Sequence, residues 1–381
     1  MVEPKIHEEL LLYYQFADFL ARKKITTQWI CLTYLDNKVN MPCMKLGTSY
    51  FGSRILRHVR EDMKKMADDG CNFVVHTMSE HDVAYHAGTM VDVVKASREA
   101  GLEVFLDPWG IGRVFGGESF SQFVSAYPQC RQRLSFPEGE ITVSKVCLNS
   151  KTFRDYMLAW IELAVKTGAE GVFWDEPHLF FGEFAPLFGD KKRDVWGCTC
   201  KTCEGLFREA HGYEMPTDFT NDVKAFRQTT IVRFLEFLAN AAARKGLKNA
   251  VCLFPTTDPR YGIYEWEKVA MIASIDIFGS DPYWYGYKRD VVEFVCSVSR
   301  DVVALSQKHH KEPQIWIQGY RVPENREAEI LTAVDVAYQA GIRNIATWSF
   351  EGTDCMTYVR SERPDVVWQH VRSAYLKYRN T

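Results

Sequence analysis

Residues 171–178 read Gly171-Val172-Phe173-Trp174-Asp175-Glu176-Pro177-His178, in which an apolar run leads into two adjacent carboxylates. Proline cannot donate a backbone hydrogen bond, so a central strand is not expected to continue through it. A helical pattern precedes this run, and a long irregular segment follows it. The order predicts a buried parallel strand that carries the carboxylates at its carboxyl end, where α/β folds place their chemistry. The simpler alternative for either carboxylate is a helix cap or a loop salt bridge.

Short apolar runs alternate with helical patterns along the rest of the chain, and glycines stand just before several runs, where a helix must stop. This alternation predicts an α/β fold, a single-domain (β/α)8 TIM barrel over residues 25–381, with a helix over residues 1–24 packed on it. A doubly wound open sheet is the alternative, but its glycine-rich turn after the first strand is missing. Long loops over 110–150 and 180–220 follow the third and fourth strands. The predicted strands are 27–34, 72–76, 102–109, 171–176, 249–254, 274–281, 314–318 and 344–351.

Composition excludes several classes of protein. The 381 residues are 46% hydrophobic and 14% aromatic with a net charge of −3, which describes a globular chain without a basic block for nucleic acid. Neither a signal peptide pattern nor an apolar run of about 18 residues is visible, so we expect no membrane partner. The 11 cysteines then indicate thiols or metal ligands in a reducing compartment. We expect a cytoplasmic protein, with a homo-oligomer left open.

Carboxylates and aromatic side chains stand at the predicted carboxyl ends of the strands, which form one mouth in a barrel. Carboxylates act as acids, bases and nucleophiles on glycosidic bonds, and aromatic rings stack on the faces of sugars. The pattern therefore indicates a carbohydrate site that needs no organic cofactor. The candidate substrate-binding residues are His76, Asp107, Trp109, Trp174, His178, Tyr283, Trp284, Gln318, Tyr320, Arg321 and Trp348.

Glycoside hydrolysis needs two carboxyl groups on opposite sides of the scissile bond, one protonated and one ionised. Neighbouring residues on a strand point to opposite faces, so Asp175 and Glu176 are not expected to aim at the same bond. The partner is expected at another strand end, where Asp281 and Glu351 are the candidates. The simpler alternatives are a turn residue for Asp281, which precedes a proline, and a loop cap for Glu351.

Three cysteines, Cys198, Cys200 and Cys203, lie within six residues, a spacing typical of zinc ligands on a turn. A closed site of four thiolates would be structural, because it leaves no open position for chemistry. It would join the two long loops. The fourth ligand must come from elsewhere, with Cys130 taken first and Cys147, His178 and His211 as the other candidates.

The cysteines are followed by Leu206-Phe207-Arg208-Glu209 and by Gly212-Tyr213 with Met215-Pro216. This pattern resembles the zinc-cluster loop of the family 42 β-galactosidases and of related glycosyl hydrolases with TIM-barrel domains, over roughly residues 170–216. In that family the loop follows the fourth strand and an upstream cysteine completes the metal site. The resemblance also implies that the general acid/base is the Glu ending the fourth strand, which is Glu176 here.

The chain departs from that family at two positions. Asp175 stands where the family has Asn, and Gln318 stands where the family has its nucleophilic Glu at the end of the seventh strand. Glutamine cannot serve as that nucleophile. The nucleophile is then Asp281 or Glu351, or it is Asp175 with Asp281 as the acid, an arrangement similar to α-galactosidase-type barrels. A third possibility is inversion through water.

The leading hypothesis is a glycoside hydrolase or transglycosylase that acts on small sugars or oligosaccharides. The alternative is a barrel that binds carbohydrate without cleaving it, which the glutamine at the seventh strand favours. A metal-dependent hydrolase is disfavoured, because the first predicted strand carries no His-x-His pair and the cysteine cluster is of the structural kind.

Overall fold

Eight parallel strands are hydrogen-bonded in a closed ring at the centre of the molecule. The computed structural model describes residues 44–117, 119–136, 139–182 and 195–379. The last strand pairs with the first, with Lys45 opposite Asn344, which closes the ring. In ring order the strands are β1 (Lys45–Tyr50), β2 (Phe73–Thr77), β3 (Glu103–Asp107), β6 (Gly171–Asp175), β7 (Lys248–Leu253), β8 (Ile277–Ser280), β9 (Glu312–Gln318) and β10 (Asn344–Trp348).

Helices connect successive strands and pack on the outside of the ring, so the fold is the predicted (β/α)8 barrel. Among the described helices none is long and apolar enough to cross a membrane. The helices are α1 (Leu56–Asp68), α2 (Glu80–Tyr85), α3 (Ala87–Glu99), α4 (Gln122–Ala126), α5 (Lys151–Thr167), α6 (Lys201–His211), α7 (Asn221–Ala243), α8 (Glu267–Ala270), α9 (Trp284–Tyr287), α10 (Val291–His309), α11 (Glu329–Gln339) and α12 (Pro364–Tyr378).

Helix α5, which leads to the central strand, shows how the sequence sets these elements. The Ser150 hydroxyl accepts a hydrogen bond from the Phe153 amide at the amino end, and Gly168 ends the helix with a φ of 79°. Between them Met157, Trp160, Ile161 and Ala164 are buried at intervals of three or four residues, a single helix face. The next residues therefore enter the barrel as strand β6.

The first strand of the ring is β1 and not the predicted run 27–34, which was wrong as the first barrel strand. Residues 27–34, like the helix predicted over residues 1–24, lie outside the described residues. Strand β1 lacks an apolar pattern because its inward positions hold Gly47 and Ser49. A Cβ on Gly47 would lie 2.6 Å from the ring of Phe73, so the inward space there is already filled. The other seven predicted strands overlap those observed.

The two long loops carry structure of their own and are joined to each other. The loop after β3 holds α4 and the hairpin of β4 (Arg131–Phe136) and β5 (Gly139–Val146), and the loop after β6 holds α6. The Thr199 amide donates to the Arg133 carbonyl at 2.8 Å, and the Phe180 amide donates to the Gln132 side chain at 3.0 Å. Since both loops follow carboxyl ends of strands, they build on the mouth of the barrel.

Candidate active site

Three aspartates face the barrel interior at the carboxyl ends of β3, β6 and β8. Asp107 and Asp175 each stand two residues after an inward phenylalanine of the barrel core, and a strand returns to the same face every two residues. Asp281 directly follows β8. Asp107 is 0% and Asp281 2% exposed, whereas Asp175 is only partly buried. The charge of Asp175 acts on both of the others, so the three carboxyl groups form one cluster.

Asp107 is the most isolated member of this cluster. Burial, and then the neighbouring charge of Asp175, raises the pKa of Asp107 well above its ordinary range. Neither of its carboxyl oxygens has a hydrogen-bond partner among the described residues. A buried polar atom without a partner costs about 1–3 kcal/mol. The neutral, protonated form of Asp107 carries a hydrogen-bond donor that a ligand in the mouth can use.

Asp281 is also held towards its protonated form. Burial raises the pKa of Asp281 well above its ordinary range, the charge of Asp175 adds to this, and hydrogen bonding with Glu176 and the Cys252 thiol opposes it. Glu176 therefore reaches the same cluster as Asp175, although the alternation of a strand would direct these two neighbours to opposite faces. The reason is the backbone: β6 ends at Asp175, and Glu176 adopts a φ of 39°, which breaks the alternation of the strand.

The unusual backbone of Glu176 is held at both ends. Its amide donates to the Cys252 carbonyl at 3.0 Å, and its carbonyl accepts from the His178 ring at 2.6 Å. The other ring nitrogen of His178 lies 2.7 Å from the Lys145 ammonium, which only donates, so Nε2 accepts and Nδ1 carries the hydrogen. Burial, followed by Lys145, lowers the pKa of His178 well below its ordinary value. His178 thus positions Glu176, and its ring nitrogens are committed to the protein.

Aromatic rings border the carboxylates. Phe51 stacks on Trp109 with centroids 5.4 Å apart and an interplanar angle of 12°, and it contacts Trp348 at 5.5 Å. Tyr283 meets Tyr320 edge to face at 5.1 Å. Trp348 belongs to the inner barrel core, and the other four rings pack against it. The sequence pattern did not indicate Phe51, because this residue follows β1, the one strand that lacks an apolar pattern.

The loop after β3 closes directly onto the carboxylates. The Gly116 amide donates to the Asp175 carbonyl at 3.0 Å. A Cβ on Gly116 would lie 2.0 Å from Oδ2 of Asp175, and one on Gly117 would lie 1.7 Å from the indole nitrogen of Trp109. Only glycine allows this approach, so the Gly116-Gly117 pair in the predicted long loop is the sequence signal for the wall of the site.

Three predicted substrate-binding residues lie between the strands and the helices instead of in the mouth. The His76 ring is bonded at 2.8 Å to Ser97 of α3, and burial lowers the pKa of His76 to about 3. Trp174 and Trp284 are buried and donate their indole N–H groups, each at 2.9 Å, to side chains of β7 and α11. His76 and Trp174 each lie one position from an inward residue, and a shift of one residue reverses the face.

Two predicted residues at the carboxyl end of β9 make contacts within the protein. The Gln318 side chain accepts from the Tyr285 amide at 3.1 Å and donates to the Tyr320 carbonyl at 3.0 Å, so it joins two loops at the mouth. The Arg321 guanidinium lies 4.7 Å from the centre of the exposed Tyr358 ring. Arg321 therefore stands at the outer rim.

Glu351, a candidate catalytic partner, belongs to a different group of charges. Its carboxylate lies 3.7 Å from the Lys65 ammonium. Burial raises the pKa of Glu351, Lys65 lowers it, and Asp62 and Asp354 raise it. With Asp62 it lines a cavity of about 480 Å³ between the loops that follow β1 and β10. The structure therefore groups Asp281, and not Glu351, with Asp175.

The fourth member of the cysteine cluster is Cys147, and the choice of Cys130 was wrong. The Sγ atoms of Cys147, Cys198, Cys200 and Cys203 all lie within 4.8 Å of one another. Cys147 lies 3.5 Å from Cys203 and 3.6 Å from Cys200. Four sulfurs around a tetrahedral zinc ion stand about 3.8 Å apart, whereas a disulfide needs about 2 Å. The donor set thus fits a metal, and Cys130 takes part through its carbonyl, which accepts from the Cys147 amide at 2.8 Å.

Comparisons with known proteins rest on structure. No family model matches the sequence, and no curated protein matches it. The β-galactosidase of the psychrophilic Marinomonas ef1 is similar with a TM-score of 0.65 and 11% identity over 88% of this chain; the chain spans 59% of that protein. The endo-1,4-β-mannanase of Rhizomucor miehei has a TM-score of 0.60 and 10% identity, covering 90% of this chain and 97% of its own.

The endo-β-1,4-mannanase of Thermotoga petrophila is similar at a TM-score of 0.59 and 10% identity, with 91% of this chain and 78% of that chain covered. At such identities the likeness concerns the fold. These three structural neighbours are TIM-barrel glycoside hydrolases, so the resemblance predicted from the sequence is confirmed at the level of the fold. The barrel is therefore of a kind on which glycosidases are built.

Proposed function

We propose that this protein is a glycoside hydrolase that cleaves glycosidic bonds of small sugars or oligosaccharides, with Asp175 as nucleophile and Asp281 as acid/base. The observation that carries the proposal is the pairing of the inward Asp175 with a buried Asp281 whose pKa is raised. A glycosidase needs one carboxyl group in each protonation state, and different environments supply this. The glycosidase structures that share the fold support the proposal.

The residues act in two steps. Asp281 gives its proton to the oxygen of the leaving group while Asp175 attacks the anomeric carbon, so the glycosidic bond breaks and a glycosyl ester forms. Asp281, now ionised, then takes a proton from water, which attacks the same carbon and releases Asp175. Protonated Asp107 donates a hydrogen bond to a sugar hydroxyl. Trp109 and Trp348 stack on the sugar ring.

Two observations favour this pair over the alternatives. The Gln318 amide at the seventh barrel strand joins two loops, and its chemistry excludes a nucleophile there. Glu351 is grouped with Lys65 and Asp62 around a separate cavity. Glu176, which the sequence resemblance marks as the acid/base, is bonded to Asp281 and is the competing acid.

The test is a panel of aryl glycosides and oligosaccharides with the variants Asp175→Asn, Asp281→Asn and Glu176→Gln. We expect kcat/KM to fall by about 10² or more for the first two. Asp281→Asn should keep more activity on substrates whose leaving group needs no proton, which separates the acid from the nucleophile. On neutral glycosides, Glu351→Gln is the matched control and should stay within about threefold of wild type. Equal activity of all variants would refute the proposal.

The second candidate function is a barrel that binds carbohydrate without cleaving it, favoured by Gln318 at the position of a family nucleophile. Saccharide binding by calorimetry, with no turnover on the whole panel, would establish it in place of hydrolysis. Binding that Asp107→Asn weakens would place the ligand in the same mouth.

We also propose that the four cysteines hold a structural zinc ion. The tight sulfur cluster supports a tetrahedral metal, and zinc with four thiolates leaves no open position for substrate. The ion would join the hairpin of the first long loop to α6 of the second. Metal analysis of the purified protein tests this: one zinc per chain is expected, lost in Cys147→Ser and kept in Cys130→Ser, the matched control. The proposal is refuted if the protein without bound metal still folds and retains the geometry of the barrel mouth.

A further inference from the structure

The cavity of about 480 Å³ beside the mouth has the size of a small-molecule site. It lies between the loops that follow β1 and β10, and Ser49, Phe51, Asp62 and Glu351 are among its lining residues. Phe51 also stacks on Trp109, which stands two residues after Asp107. The cavity therefore adjoins the carboxylate cluster, with the ring of Phe51 as the shared wall.

A buried hydroxyl lines this cavity with its hydrogen-bonding capacity unused. Ser49 is 0% exposed, and its Oγ has no hydrogen-bond partner among the described residues. It is opposite Val75 in the register of β1 and β2, and Val75 belongs to the inner core of the barrel. A buried unpaired hydroxyl costs free energy that a bound hydroxyl group recovers. Ser49 thus marks the inner end of the cavity as a place for a polar ligand.

The charges around the cavity select the kind of ligand. Three carboxyl groups, those of Glu61, Asp62 and Glu351, and one imidazole, that of His58, line it. The nearest cation to Glu351 is Lys65, whose ammonium is already bonded to Asp69 at 2.7 Å and lies 3.7 Å from Glu351. Like charges around one volume repel an anion and attract a cation. This lining disfavours sugars that carry carboxylate, sulfate or phosphate groups.

We propose that the cavity is a second saccharide subsite that binds an amino sugar, with the sugar ammonium at Glu351 and a hydroxyl at Ser49. The assignment of a saccharide rests on the proposed glycosidase function, because the cavity adjoins the carboxylates that would cleave the bond. The amine requirement rests on the acidic lining alone.

Binding of D-glucosamine and D-glucose, measured by calorimetry at about pH 6.5 where the amine is protonated, tests the subsite without turnover. We expect glucosamine to bind about fivefold more tightly, which is the upper end for a partly exposed ion pair. Glu351→Gln should abolish this preference. Asp354→Asn is the matched control. It removes an equal charge near Glu351 from a carboxylate that pairs with Arg360 at 3.5 Å, and it should keep the preference for glucosamine.

Ser49→Ala should weaken the binding of both sugars without lowering the Tm, since it removes a hydroxyl that has no partner in the folded protein. Equal affinity of the two sugars for wild type, or a preference that survives Glu351→Gln, would overturn the inference. If the proposed hydrolysis is wrong, neither wild type nor any variant turns over a substrate of the glycoside panel. The preference for glucosamine is measured separately by calorimetry, so the two failures can be told apart.

Discussion

Replacing Asp107 by asparagine should stabilise the protein while it weakens the site. Asparagine has the same shape and also lacks hydrogen-bond partners there, so the cost of unpaired polar atoms changes little. What changes is that residue 107 no longer binds and releases a proton. Folding raises the pKa of Asp107 well above its ordinary range, so the native state keeps a proton that the unfolded chain releases above about pH 4. The stability that this proton supplies is complete below that pH and is lost as the pH rises through the folded pKa.

The magnitude follows from this linkage. One extra proton on the native state lowers the free energy of unfolding by up to about 1.4 kcal/mol for each pH unit above the unfolded pKa, and the loss stops above the folded pKa. Asp107→Asn removes this dependence. The two proteins should therefore be about equally stable near pH 4, and the variant should be more stable near pH 7, by about 1.4 kcal/mol for each pH unit between the unfolded pKa and the lower of the folded pKa and pH 7. Each step of about 1.4 kcal/mol corresponds to a Tm higher by about 2 °C in a chain of this size.

Calorimetric Tm values of wild type and Asp107→Asn, from about pH 4 to pH 8, provide the assay. Glu80→Gln is the control, because Glu80 is also buried but accepts hydrogen bonds from Gly112, Ser121 and Phe123. The amide of glutamine would face one of these donors, so this variant should be less stable by about 1–3 kcal/mol. A variant Asp107→Asn that is no more stable than wild type at any pH would refute the reasoning.

Four further outcomes follow from the site. Gly116→Ala should lower kcat/KM by about 10² with the fold retained by circular dichroism, because a Cβ there would displace the Asp175 carboxylate. The kcat/KM of wild type should fall as the pH rises through the raised pKa of Asp281, and Asp281→Asn should lack that fall in its pH profile. If the proposed zinc site is occupied, a zinc chelator added before thermal melting should lower the Tm by several degrees in wild type but not in Cys147→Ser. Lys145→Met should lower kcat about tenfold with an unchanged KM, since it removes the hydrogen bond that fixes His178.

The ring of strands could be predicted because burial on both faces gives most of them short apolar runs. The exception, β1, has Gly47 and Ser49 at inward positions, and these are small because the Phe73 ring and the cavity occupy that side. The hydrophobicity of a segment does not show whether a side chain distant in sequence already fills the space that the segment faces. The predicted run 27–34 is the more apolar sequence, yet eight other strands close the ring.

The carboxylates of the site could be predicted from their place at strand ends, but their grouping could not. Asp281 joins Asp175, whereas Glu351 lies with Lys65, because the backbone after β10 turns through positive φ at Glu351, Gly352 and Thr353. A residue such as Glu351 in the left-handed region leaves the direction of its strand, and no periodicity reveals it. A positive φ likewise brings Glu176 into the carboxylate cluster of Asp175 and Asp281.

The long loops, and not the barrel alone, determine the position of Glu176, the carboxyl group bonded to the proposed acid Asp281. Strand β5 of the first loop carries Lys145, whose ammonium is bonded to His178, and His178 in turn bonds the carbonyl of Glu176. Two residues beyond Lys145 stands Cys147, which shares the thiol cluster with the second loop. Because Glu176 adopts an unfavourable φ, it keeps its position only while these contacts hold it. The cysteine cluster therefore supports, through Lys145 and His178, the position of Glu176, whose carboxyl group lowers the pKa of Asp281.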